Sequence, residues 1–122
     1  GAKARRGAAR ERMILGAWLD ARRPIPPAAL RARIDAALGS DLHADVDAAA
    51  DTLLAAGERI LRSLLVEDAT SRESAIDLLA ADALVTYAFE AASERAGDLS
   101  TRAATAMARI AALGDTQAPR RA

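Results

Sequence analysis

Between residues 71 and 97 the chain reads SRESAIDLLAADALVTYAFEAASERAG, and its apolar positions fall on two flanks of one helix. At about 100° per residue, Ile76, Ala80, Ala83, Leu84, Tyr87 and Ala91 share one flank. Leu78, Ala81, Val85, Phe89 and Ala92 share the other. A narrow polar stripe of Asp82, Thr86, Glu90 and Ser93 separates them, so neighbours must cover two faces. This pattern predicts a central, buried helix over about residues 71–97. Thr70, Ser71, Arg72 and Glu73 read as a capping box with Thr70 as N-cap and Glu73 three positions in, and Gly97 suits the residue just past the end.

Other elements follow from the same periodicity. Residues 13–23 put Ile14, Trp18 and Ala21 on one line, and Pro24 closes that helix because the residue before a proline is disfavoured in the helical region. Pro24, Ile25, Pro26 and Pro27 form a stiff extended elbow. A second helix runs from about Pro27 to Leu38 with Leu30, Ile34 and Leu38 at i, i+4, i+8, and Gly39 ends it. The third, capped by Ser40 or Asp41, extends over about residues 42–66 with a broad apolar face that includes Leu42, Val46, Leu53, Gly57, Ile60 and Leu64. The short turn at residues 67–69 predicts an antiparallel hairpin between the third helix and the central one. A fifth helix, capped by Asp98 or Ser100, carries Leu99, Ala103, Ala106, Met107, Ile110 and Leu113 on one face and ends at Gly114. The expected organisation is a frayed basic arm over residues 1–12, one helical domain over 13–114 and a disordered tail over 115–122.

Composition narrows the fold class to all-α, a bundle of four to five helices. Alanine occurs 34 times in 122 residues while Phe, Tyr and Trp occur once each, so the core is made of Ala, Leu, Ile and Val and helices can approach closely. Cysteine is absent, which removes disulfides, thiolate nucleophiles and Cys-ligated metals. No apolar run approaches the roughly 20 residues needed to span a bilayer, and no signal-peptide core follows the basic start; a cytoplasmic, soluble protein is expected.

The zero net charge conceals a segregation. Residues 1–33 carry +7, residues 34–98 carry −10 and residues 99–122 carry +3. An acidic middle between basic ends suits self-complementary packing, within one chain or between copies.

Candidate chemistry is sparse. His43, the one histidine, shares a helical face with Asp47 and Asp51 at i, i+4, i+8, one nitrogen and two carboxylates for a metal, although catalytic zinc and iron sites take more histidines or ligands from several elements. A solvated first turn, where acids suit the helix dipole, explains the same residues. Asp77 sits in line with Ala81, Leu84 and Ala88, so it is either a functional acid with a raised pKa, a group near solvent, or the partner of an arginine from the first or fifth helix. Asp82, Thr86 and Glu90 form a ladder whose two acids lie about 12 Å apart along the axis, too far for a glycosidase pair, and which suits a solvated stripe or an intersubunit seam. No Ser/His/Asp set and no Gly-rich phosphate loop is present in the sequence. The basic start, KARRGAARER, can contact phosphates but lacks aromatics for base stacking, so nucleic acid is not the expected partner. Trp18 with Met13 and Ile14 forms either an interaction anchor or part of the core.

Residues 78–90, LLAADALVTYAFE, resemble a helix reading roughly LAGDALLTLAFE in trans-polyprenyl diphosphate synthases, which are all-helical, magnesium-dependent enzymes. The resemblance spans about 13 residues, with Ala81 where that family has glycine, and implies an alternative function as a small helical ligand- or metal-binding enzyme. Both aspartate-rich motifs with which those enzymes hold magnesium and diphosphate are missing here, so no functional residue is carried over. The leading expectation is a non-enzymatic interaction or assembly module without a cofactor, a homo-oligomer or the partner of another protein. Its candidate contact residues are Trp18, Met13, Asp77, Asp82, Thr86 and Glu90.

Overall fold

The computed structural model describes residues 13–67 and 71–117. The basic arm over residues 1–12, the proposed N-cap Thr70 and the end of the expected tail lie outside them. Among the described residues four α-helices follow one another: α1 Leu15–Asp20, α2 Ala28–Leu38, α3 Ala49–Glu67 and α4 Arg72–Gln117, with 3-10 turns at Gly39–His43 and Val46–Ala48 between α2 and α3. The fold is all-α, with no strand among the described residues. The chain divides into two compact units, Gly1–Ala92 and Ser93–Ala122.

In the first unit α1 is shorter than its apolar pattern predicts. Ile14 is extended and bridges Asp45; Leu15 N–H donates to the Ala44 carbonyl (2.9 Å) and Val46 N–H to the Met13 carbonyl (2.8 Å). Backbone pairing with residues 44–46 therefore takes up the groups that another helical turn would have used. α2 matches its prediction: Pro27 stands at the N-cap, Ile34 and Leu38 are buried, and Gly39 adopts φ +52°, a left-handed conformation that suits glycine.

α3 begins seven residues later than its apolar spacing suggests, at Ala49. Asp45 is extended and its Oδ1 accepts the Asp47 N–H (2.9 Å). Short polar side chains that bond to nearby backbone compete with helix in this way, so Asp47 lies in a 3-10 turn while Asp51 keeps its place in the first turn of α3.

The core joins Leu15, Trp18 and Leu19 of α1, Ile34 and Leu38 of α2, Leu53, Ala56 and Ile60 of α3, and Ala80, Ala81, Leu84 and Ala88 of α4. Leu53 and Leu84 have no exposed surface, which stabilises the fold by roughly 1.5–3 kcal/mol each relative to exposure. α3 and the first part of α4 meet at Gly57, where a Cβ would stand 3.1 Å from Val85 Cγ2 and 3.3 Å from the Ala81 carbonyl oxygen. Gly57 and residues 81–85 lie at similar distances along the chain from the intervening turn, which is the register of an antiparallel hairpin.

Ser71 caps α4: its Oγ accepts the Ser74 N–H (3.2 Å), one position later than the predicted cap. The covered arc of this helix runs between the two predicted flanks and draws on both, with Ala80, Leu84 and Ala91 from one and Ala81 and the half-buried Val85 from the other. Ala80, Ala81, Leu84, Ala88 and Ala91 are buried, whereas Leu78, Leu79 and Phe89 stay more than half exposed. Nor does the helix stop at Gly97; it continues to Gln117 and absorbs the predicted fifth helix. One glycine costs a helix only about 1 kcal/mol, and Asp98, Leu99 and Ser100 supply neither a proline nor the positive φ of a C-terminal cap. Residue 97 instead lies in helix with open space at its Cβ position. In the second unit residues 93–117 are helical, and every side chain described there, 93–115, is exposed.

Candidate functional site

Three groupings in the first unit contain the candidate polar residues. The first lies between α2 and α4. Asp77, expected on an apolar flank, is about three-quarters covered, and its Oδ1 accepts from Arg33 Nε at 2.5 Å. Its partner comes from α2, not from the first or fifth helix. Ala29, Ala32, Ala36, Glu73 and Ile76 line the open groove around this pair, about 500 Å³ in volume. Four of its seven lining residues are apolar, and Arg33 offsets one of its two carboxylates, Glu73 and Asp77, so the groove offers little concentrated charge to a ligand.

The second grouping surrounds Trp18. The indole is 4 % exposed, so Trp18 belongs to the core and is not an exposed anchor. The Tyr87 ring meets it edge to face at 6.2 Å, and the Arg22 guanidinium carbon lies 3.9 Å above its ring centroid. Arg22 Nε also donates to the Trp18 carbonyl (3.2 Å), and Arg22 Nη1 lies 3.7 Å from Glu90 Oε2. Glu90 thus closes a cation–π arrangement over the core. Asp82 is exposed and Thr86 Oγ1 donates to its backbone carbonyl (2.9 Å), so the hydroxyl serves its own helix and the Asp82–Thr86–Glu90 ladder does not act as one group. Met13 and Ile14 remain about 40 % exposed at the edge.

A third grouping ties α1 to α2 across the proline elbow. Arg31 reaches Asp20 (2.9 Å) and Asp35 (2.8 Å). Burial by itself lowers the Arg31 pKa, but hydrogen bonds and charge attraction from Asp35 and then Asp20 outweigh it, and the net direction is upward.

The predicted metal face is not formed. His43 ends one 3-10 turn, Asp47 lies in the next and Asp51 in the first turn of α3, so the i, i+4, i+8 geometry that linked them has no helix to carry it. Among the described residues no three His, Cys, Asp or Glu side chains are grouped to hold a metal ion. No described helix is long and apolar enough to cross a membrane.

Arg22, Arg31 and Arg33 are the side chains that the sequence reading missed. Arg22 was accessible to it, because Trp18 and Arg22 stand at i, i+4. Arg33 had no such signal, since its partner lies 44 residues away. The larger omission is apolar. Leu54, Leu61, Leu65 and Val66 of α3 and Leu78, Leu79 and Phe89 of α4 are exposed in the first unit, as are Leu99, Met107, Ile110 and Leu113 in the second. No protein-family model, curated protein or solved structure matches this chain.

Proposed function

We propose that this chain is a non-enzymatic helical interaction module that assembles with copies of itself through apolar helix faces. The observation that carries the reading is the arrangement of exposed large side chains in rows. Leu54, Leu61 and Leu65 recur at i, i+7, i+11 along α3, and Leu99, Ile110 and Leu113 recur at i, i+11, i+14 along α4. Scattered exposed leucines are ordinary, whereas aligned ones form continuous patches of the kind that partners cover.

Two further features support it. The basic, acidic and basic segments along the chain let copies attract one another while the whole stays neutral. Arginines and acids at the edge of the core are matched to each other, as Arg33 is to Asp77 and Arg31 to Asp20 and Asp35, which favours structural roles for them.

Light scattering of the full chain across a wide concentration range tests the reading. A mass that rises above 12.7 kDa with concentration, and persists in high salt, is expected for apolar association. A strict monomer at high concentration in both low and high salt overturns it.

A further inference from the structure

The second unit is a single helical segment with no core of its own. Its side chains from 93 to 115 are all exposed, and Leu99, Met107, Ile110 and Leu113 are each more than half exposed. In proteins most helical stability comes from packing an apolar face, and this segment packs none of its described side chains. Residues 1–12, 68–70 and 118–122 contain no Leu, Ile, Val, Phe or Met to offer this face.

The face has a seven-residue register. Ala96, Ala103 and Ile110 recur every seventh residue, and Leu99, Ala106 and Leu113 follow each by three, the spacing of the two apolar seam positions of a coiled coil. Arg95, Arg102 and Arg109 precede the first set by one and line one edge; Ser100, Met107 and Gly114 follow the second set and line the other. The charges of residues 93–115 are three arginines against Glu94, Asp98 and Asp115, so two such segments approach without net repulsion.

Building on the self-association proposed above, we infer that this segment pairs in parallel and in register with the same segment of a second copy. Parallel pairing sets the arginine edge of each helix against the uncharged Ser100, Met107 and Gly114 edge of the other. The aliphatic part of Arg102 then lies over Met107 of the second copy. Antiparallel pairing brings the two arginine edges together, which like charge opposes. A two-fold parallel pair also matches Leu99, Ile110 and Leu113 each with its own counterpart, as an isologous interface requires. The alanine layers between them allow close approach of the helices.

Because the chain has no cysteine, single cysteines report on this geometry. Full chains carrying Leu99→Cys or Leu113→Cys are oxidised mildly, each alone, and the unmodified chain, Ile110→Asp and Thr101→Asp are weighed by sedimentation equilibrium. Facing seam positions lie within disulfide reach only in the parallel arrangement. Expected results are a disulfide-linked dimer from each single cysteine, at least a tenfold higher dissociation constant for Ile110→Asp, and little change for Thr101→Asp on the opposite side of the helix. Cross-linking only in a mixture of Ala96→Cys and Leu113→Cys chains overturns the parallel arrangement. A dimer that gives no cross-link and survives Ile110→Asp overturns this seam while leaving self-association standing. Equal weakening by Ile110→Asp and Thr101→Asp assigns the effect to lost helix and also overturns the seam. A monomer throughout overturns both.

Discussion

Trp18 is the largest side chain in the core. It is the one large aromatic in an alanine-rich interior, it meets the Tyr87 ring edge to face, and Arg22 lies over it. Trp18→Ala is expected to cost about 3–5 kcal/mol in urea denaturation. Arg22→Met, which keeps the aliphatic stem and removes the charge, should cost about 0.5–1 kcal/mol, and that cost should largely vanish in a Trp18→Leu background if the ring is its origin. Arg33 and Asp77 form a partly exposed pair, with side-chain exposures of 33 % and 27 %. A double-mutant cycle with Arg33→Ala and Asp77→Ala should therefore give a coupling near the top of the surface range, about 1 kcal/mol. Arg31 behaves differently with pH. Its pKa is raised on folding, so its contribution is fully present below the ordinary arginine value and is lost only as pH rises through the folded one. Stability measured across the neutral range should thus change no more in native chain than in Arg31→Met.

At the scale of elements, two glycines within helices have opposite environments. Gly57 sits where α3 meets α4, with Val85 and the Ala81 carbonyl within 3.3 Å of an added Cβ. Gly97 faces open space. Alanine is favoured over glycine in a helix interior by about 1 kcal/mol. Gly97→Ala should deliver most of that gain as higher helicity on heating, followed by far-UV circular dichroism. Gly57→Ala should deliver less or none, since neighbours must give way, and Gly57→Leu should cost about 1–3 kcal/mol by forcing the helices apart. A gain from Gly57→Ala as large as that from Gly97→Ala would show that the contact is loose. The same comparison explains why the helix end expected at Gly97 is absent. A lone glycine is a weak stop, and only its backbone angles decide whether it acts as a cap or as one more helical residue.

Across the whole molecule, one unit has an interior and the other does not. Among the described residues all the buried ones lie in the unit Gly1–Ala92, whereas the described side chains of Ser93–Ala122 are exposed. Self-association of the kind proposed would contribute to observed stability by mass action, and the unfolding midpoint should then rise with protein concentration. Thermal scans over a hundredfold concentration range check this; a constant midpoint for a reversible transition would oppose coupling between folding and assembly. Salt separates two contributions. Association driven by the basic and acidic segments should weaken as ionic strength rises, while association through the leucine rows should not.

Much of this architecture was legible because it is local. The 3.6-residue periodicity that placed Leu30, Ile34 and Leu38 on one face of α2 is written in neighbouring residues, and so are the proline elbow, Gly39 as a stop, and the exclusion of cysteine chemistry. Alanine abundance and the scarcity of strand formers were enough to set the class as all-α. What the sequence left open depends on competition between distant groups. Residues 42–48 have the apolar spacing of a helix, but Ala44 and Val46 bond to the backbone at Leu15 and Met13, and that pairing, with the Asp45 turn, removes the helix and with it the His43, Asp47 and Asp51 face. Asp77 could not be assigned a partner until α2 brought Arg33 against it. The two apolar flanks of residues 71–97 look alike as a pattern, and tertiary packing alone decided which arc is buried: neighbouring helices cover Ala80 and Leu84 of one flank, Ala81 of the other and Ala88 between them, and leave Leu78 and Phe89 exposed, because periodicity fixes which residues share a face and not what comes to lie against it.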